Sequence, residues 1–150
     1  MPDDSAHLLQ RLQRLEDEAG VRDTLYAYGT GLDYGNREQF LACFTDDARY
    51  AVTMRVAGVT AMEFRGREEL GGYFDGHTHA PDAWHKHITT NPTVVIDGDQ
   101  ARATSYFVRV DAGESAGPAT VVASGRYDDE LVRQGSTWRI RSRTCAVENL

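Results

Sequence analysis

The sequence predicts an α+β fold in which a curved antiparallel or mixed sheet wraps around N-terminal helices. Three observations predict it. Apolar residues recur every three or four positions near the start of the chain, as on one face of a helix. The second half instead holds four stretches rich in alternating apolar, β-branched and aromatic residues, separated by short turns of Gly, Asp and Ser. The length of 150 residues suits a single domain able to bury a core, and no repeat, linker or low-complexity run divides it.

The first helix is expected from Leu8 to about Leu32, where Leu8, Leu12, Leu15, Val21, Leu25, Tyr28 and Leu32 form one stripe. Gly20 is expected to loosen or kink it. A short second helix spans Arg37 to Phe44, with Asn36 as its cap and Phe40, Leu41 and Phe44 on its buried side. Thr45-Asp46-Asp47 then reads as a turn. Ala48 to Val56 is expected as a strand, Met62 to Phe64 as a shorter one, and Arg67 to Phe74 as a short helix. His77 to Ala83 follows Gly76 and contains Pro81, so it reads as a loop. Four strands close the chain: Trp84 to Ile96, Ala101 to Val110, Ala119 to Val132 and Thr137 to Val147. Their connections have the composition of hairpin turns.

Composition narrows the partners. Acidic residues outnumber basic ones, 23 to 16, and Lys86 is the only lysine, which argues against nucleic acid or an anionic membrane as partner. A hydrophobic fraction of 41% and a charged fraction of 26% describe a globular chain rather than a disordered or membrane-embedded one. The first residues carry acids where a secretory leader needs a basic start and an apolar run, so the expected location is cytoplasmic. Cys43 and Cys145 are far apart without metal-type spacing and are expected as reduced, partly buried thiols.

The strings LEDEAGVRDTLYAYGTGLDYGNREQFLACFTDDARY, FRGREELGGYF, WHKHITTNPTVVIDGDQARATSYF and GRYDDELVRQGSTWRIRSRTC resemble the SnoaL-like proteins of the NTF2-like superfamily, from about Leu8 to Cys145. The resemblance implies the NTF2-like cone. It does not imply one reaction, because this scaffold carries dehydratases, dehydrohalogenases, isomerases, polyketide cyclases, epoxide hydrolases, binding modules and accessory subunits. Within that set the arrangement is most similar to scytalone dehydratase, hexachlorocyclohexane dehydrochlorinase and the bile-acid 7α-dehydratases. That similarity implies a catalytic Asp33 in GLDYGN, His87 in HITTN and Tyr28 in YAYG, with Arg143 on the last strand. Arg143, His85 and Asn91 are the substrate-binding candidates.

The residues themselves leave two readings of Asp33 and His87. A carboxylate that holds an imidazole in one tautomer also stabilises the cation formed when that ring takes a proton, so the pair could remove a proton next to a carbonyl or leaving group. Alternatively, Asp33 starts the turn Asp-Tyr-Gly-Asn and His87 is a hydrogen-bonded strand histidine. Tyr28 reads as a core aromatic with a polar tip, or as a donor to a developing oxyanion. It can share a pocket with Asp33 only if that pocket is wide or the helix loosens at Gly29 and Gly31. His77, His79, His85 and His87 form two HxH pairs, but the first lies in a loop with no acidic ligand spaced with it, so no metal is expected. His85 shares the face of His87 and can be a second pocket residue. Arg139, Arg141 and Arg143 share strand parity, and only a bulge would separate their surroundings.

These features predict a cofactor-independent lyase or isomerase acting on a hydrophobic cyclic or polyketide-like small molecule by proton abstraction. The alternatives are an aldol-type polyketide cyclase and a non-catalytic binding or accessory protein on the same cone. A homodimer or larger homo-oligomer is expected, with Val108, Val121 and Arg141 in its interface.

Overall fold

The structure, a computed structural model, describes residues 4–55, 59–112 and 117–148. In chain order its elements are α1 (Asp4–Asp33), α2 (Arg37–Ala42), β1 (Phe44–Met54), β2 (Val59–Arg65), α3 (Gly66–Asp75), β3 (His85–Asp97), β4 (Gln100–Asp111), β5 (Thr120–Gln134) and β6 (Thr137–Val147). The strands form one sheet in the order β2-β1-β6-β5-β4-β3. β1 and β6 run parallel and the other neighbours antiparallel, so the sheet is mixed. None of the described helices is long and apolar enough to cross a membrane.

α1 runs as one continuous helix through Gly20. Gly20 serves a close approach: a Cβ there would lie 2.9 Å from Cδ1 of Trp138. One turn on, the Thr24 hydroxyl donates to the Trp138 carbonyl at 2.7 Å. Val21, Leu25, Tyr28 and Leu32 are buried as expected, and burial of each such side chain contributes about 1.5–3 kcal/mol. Leu8, Leu12 and Leu15 do not join this core, being 51–62% exposed. Burial along α1 begins at Asp17, so the helical stripe extends beyond the part that the rest of the fold covers.

Asn36 caps α2, its Oδ1 accepting from the Gln39 N–H at 3.1 Å. The helix ends at Ala42 rather than Phe44, because the Cys43 N–H turns back to the carbonyl of Phe40 and Phe44 already enters β1. Thr45-Asp46-Asp47 is therefore part of a strand, not a turn. The turn-forming residues act within the strand: the ladder to β6 is irregular between Phe44 and Arg49, where Asp46 and Asp47 are exposed. β1 ends at Met54, and Val56 lies outside the described residues.

A second irregularity sets the floor of the interior. Leu131 pairs with Ile140 and Glu130 with Ser142, which makes Arg141 an extra residue in β6. This bulge exchanges the faces of the strand. Trp138 and Ile140 are buried before it, Arg143, Cys145 and Val147 after it. Arg139, Arg141 and Arg143 thus part company: Arg143 is fully buried, while Arg141 is exposed and pairs with Glu130 at 3.4 Å.

Candidate active site

Asp33 ends α1, and His87 is the third residue of β3, the edge strand along which α1 lies. Gly29 permits that contact, since a Cβ there would meet the His87 carbonyl oxygen at 2.7 Å. The loop before β3 is fastened to the same end of α1. The Ala80 N–H donates to the Asp33 carbonyl at 3.0 Å. Both ring nitrogens of His79 lie against backbone carbonyls, those of Leu32 and Phe74, near the C-terminal ends of α1 and α3.

The Asp33 carboxylate engages His87 twice. Oδ1 accepts from Nδ1 at 2.6 Å and Oδ2 from the backbone N–H at 2.9 Å. An ionised carboxylate only accepts, so the imidazole proton sits on Nδ1 and the Nε2 lone pair is left for other work. The two side chains are 4% and 9% exposed, which limits competition from water. Asp33 is not merely a turn residue: its side chain leaves the helix end and is committed to β3.

Two further imidazoles adjoin the pair. His85 is buried, with Nε2 3.6 Å from Asp33 Oδ1 and no hydrogen-bond partner for that nitrogen. The His77 ring centroid lies 5.0 Å from that of His85 and 5.4 Å from that of His87. Burial pushes the His77 imidazole down to about 4, only partly opposed by its bond to the Thr78 carbonyl. Burial also lowers His85, helped by His87 and opposed by Asp33. Both rings are therefore neutral at neutral pH. The loop assignment of His77 was compatible with this position but did not announce it; only the folding of the 77–83 segment onto α1 brings the ring in.

Arg109 was also not singled out by the sequence. It pairs with His87 across the β3–β4 ladder. Its guanidinium is held by Asp111 through bonds of 2.9 and 3.1 Å. The alternation of β4 contained the clue, because Arg109 shares parity with the buried Ala101, Ala103, Ser105 and Phe107.

Tyr28 does not contact Asp33 in the way a loosened helix would allow. Its hydroxyl lies 3.1 Å from that of Tyr50, and its ring packs among Phe40, Phe44, Tyr50 and Tyr127. The Arg143 guanidinium stacks over Tyr28 and Tyr127, 4.2 and 4.1 Å from their centroids. Asp129 clamps it at 2.7 and 2.9 Å, while Nη1 is buried without a hydrogen-bond partner. Burial opposes the charge on Arg143, but the Asp129 carboxylate outweighs it and favours the cation. Burial raises the Tyr28, Tyr50 and Tyr127 hydroxyls well above 10, so they remain protonated donors. It likewise pushes the Cys145 thiol up to about 12, which leaves no thiolate nucleophile there at neutral pH.

Asn91, expected among the substrate-binding residues, stands apart from the buried group. It sits at the register shift of β3 with φ 53°, exposed, and its Oδ1 accepts from the Thr90 hydroxyl at 2.8 Å. This is the role of an Asn at a strand irregularity, outside the buried polar group. The metal question also changes in its premise. Asp33, distant in sequence, brings a carboxylate to the histidines, and donor atoms of Asp33, His85 and His87 all lie within 4.8 Å of one another.

Two surface depressions reach this region. One, of about 260 Å³, follows the α1–β3 seam and touches Asp33, His87, Tyr34 and Lys86. The other, of about 640 Å³, lies over β2 and α3 and touches Phe64, Tyr73 and His77.

A long N-terminal helix laid on a mixed six-stranded sheet, with a carboxylate–imidazole pair where helix and edge strand meet, defines a protein of the NTF2-like class. The chain belongs to the SnoaL-like family, whose domain matches residues 13–144. It is similar to an NTF2-like protein with a cystatin-like fold from Novosphingobium aromaticivorans, at 26% identity over 98% of this chain and 92% of that one, with a TM-score of 0.83. From the same organism, the β subunit of a candidate aromatic-ring-hydroxylating dioxygenase is 24% identical, covering 88% of this chain and 89% of its own, with a TM-score of 0.75. A candidate scytalone dehydratase, also from that organism, is 17% identical over 89% of this chain and 85% of its own, with a TM-score of 0.71. The last two share the fold alone. No curated protein matches the sequence.

Proposed function

We propose that the chain is a cofactor-independent lyase or isomerase that abstracts a proton from a hydrophobic cyclic, polyketide-like molecule, with His87 as base and Asp33 as its partner. The observation that carries this reading is the double engagement of Asp33 with His87, at 2.6 Å to Nδ1 and 2.9 Å to the backbone N–H. It fixes the tautomer in which Nε2 accepts a proton, and it places a negative charge beside the imidazolium that results.

For a dehydration, Nε2 takes the proton from the carbon next to a carbonyl, and the electron pair moves into the carbonyl oxygen as an enolate. Collapse of the enolate forms the carbon–carbon double bond and expels the hydroxyl at the β carbon. That oxygen recovers the proton from His87 and leaves as water, so the enzyme returns to its starting state. The hydroxyls of Tyr28 and Tyr50, kept protonated by burial, are suited to donate to the enolate oxygen. Arg143 and His85, both buried polar groups, are assigned the role of orienting the molecule. The fold shared with a candidate scytalone dehydratase makes hydroxylated cyclic ketones the first class to assay.

The test is incubation with a panel of such ketones in deuterated water, followed by mass spectrometry. Deuterium uptake next to the carbonyl, or loss of water, is expected with the wild type and should disappear in His87→Ala. A ligand held tightly without exchange or turnover would overturn the catalytic reading and favour a binding protein on the same scaffold.

A further inference from the structure

We propose that Asp33, His85 and His87 form a binding site for a divalent transition-metal ion of the zinc type, which enters in competition with the Asp33–His87 hydrogen bond. The ligand set rests on geometry. Donor atoms of all three residues lie within 4.8 Å of one another. In a tetrahedral site with bonds near 2.0–2.2 Å, neighbouring donor atoms stand about 3.3–3.6 Å apart. His85 Nε2 and Asp33 Oδ1 are 3.6 Å apart, close to that spacing without any movement. The 2.6 Å contact between His87 Nδ1 and Asp33 Oδ1 must open by roughly 0.8 Å to match it. Oδ2 remains tied to the His87 N–H at 2.9 Å, so the carboxylate can pivot about that bond while staying in place.

A second, independent observation points to a ligand. The His85 side chain is 2% exposed, and its Nε2 is buried without a hydrogen-bond partner. Such an atom is unfavourable unless something takes its lone pair or proton. His85 and His87 are two apart on β3 and leave the same face of the strand, so both imidazoles are presented without backbone change. Asp33 supplies a negative charge against the ion, and three protein donors leave a fourth position for water. The His77 ring borders the same space.

Metal at Nδ1 of His87 changes the ring's tautomer. The Nδ1 proton passes to water and Nε2 takes one up from water, so the imidazole stays neutral while its free lone pair becomes an N–H. The ion is then an inhibitor of proton abstraction and not a cofactor for it. This inhibitory consequence rests on the acid–base reading above; the ligand set does not.

The experiment uses full-length, chelator-stripped protein without an affinity tag, titrated with Zn²⁺ by calorimetry and with Co²⁺ by visible absorption. One equivalent of Zn²⁺ should bind, and Co²⁺ should show the d–d bands of a four-coordinate site. His85→Ala and, separately, Asp33→Asn should weaken binding by about tenfold or more. His7→Ala, which removes an exposed imidazole on α1, should leave it unchanged. Circular dichroism checks folding, and His85→Gln replaces His85→Ala if the smaller side chain does not fold. Lack of stoichiometric binding, or an affinity indifferent to both site substitutions, would overturn the proposal. Stoichiometric binding that leaves deuterium exchange at its full rate would uphold the metal site and overturn the base role of His87.

Discussion

Replacing Asp33 with Asn tests the carboxylate–imidazole pair while keeping its outline. The His87 backbone N–H lies 2.9 Å from Oδ2 and requires an acceptor. With the amide oxygen in that place, the amide NH₂ faces Nδ1 across the 2.6 Å contact. Two donors cannot share it, so the ring gives up its Nδ1 proton and takes one on Nε2. Turning the amide round would preserve the tautomer but leave the backbone N–H facing another donor, at a cost of about 1–3 kcal/mol for the unsatisfied group. The first arrangement therefore prevails, and it directs the lone pair into the helix–strand contact. In a serine-protease triad the same Asp→Asn change, through the wrong tautomer, lowers kcat by about 10⁴-fold. A loss of that order is expected here, together with about 1.5–3 kcal/mol of stability from the charged hydrogen bond. Imidazole ¹⁵N NMR reads the outcome directly, with the proton on Nδ1 in the wild type and on Nε2 in the variant. His87→Ala combined with Asp33→Asn should be little worse in turnover than either alone. The same tautomer in both proteins, or turnover within about tenfold of wild type, would refute the reasoning.

Four other outcomes follow from the geometry. Gly29→Ala places a methyl 2.7 Å from the His87 carbonyl oxygen, so calorimetry should show a lowered Tm, equivalent to about 1–3 kcal/mol; an unchanged Tm would contradict the close approach of α1 to β3. Arg143→Met strands the buried Asp129 carboxylate and should cost about 3–5 kcal/mol in urea titrations, with Asp129→Leu in the same chain restoring most of it. The His77 imidazole lies at about 4 in the fold against 6.5 unfolded, so as pH falls from 6.5 towards 4 the unfolded chain takes up protons first and stability declines. Urea midpoints across that window should therefore fall less steeply in His77→Asn than in wild type. Val121 and Arg141 are exposed on the sheet and Val108 is half-buried, and a homodimer through that surface should give light scattering at twice the mass of one chain; a single-chain mass in the wild type, or no dissociation in Val121→Asp, would dismiss that interface.

The element order was legible because the two periodicities differ so sharply: α1 and β3 to β6 lie close to where the spacing puts them. What pattern alone cannot supply is coverage. Leu8, Leu12 and Leu15 obey the same rule as Leu25 and Leu32, yet nothing in the stripe says where the sheet stops burying it. Turn chemistry was misleading at Thr45-Asp46-Asp47, since residues that favour a chain reversal also favour an irregular strand. Asp33 and His87 could be paired only through the family resemblance, being 54 residues apart, and the contact depends on the close fit at Gly29. His77 was read only as a loop member of an HxH pair and Arg109 went unnoticed, because their positions depend on a loop's path and on the face of a strand, neither of which a local motif encodes. Asn91 was named as a substrate-binding candidate, and its left-handed backbone conformation accounts for an asparagine at that position.

The extra residue at Arg141 means that strand register, rather than residue type alone, decides what stands beneath the tyrosines. A β6 of the same sequence without the bulge would alternate strictly and turn the downstream strand over. Ser142 and Thr144 would then point inward, while Arg143, Cys145 and Val147 would face solvent. Asp129 would lose its partner, and the rings of Tyr28 and Tyr127 would lose the cation stacked on them. Deleting Arg141, by contrast, would remove the bulge with its surplus residue and keep Ser142 opposite Glu130 and Arg143 opposite Asp129. The buried cation thus depends on one residue being looped out of the ladder, although that residue's own side chain faces water.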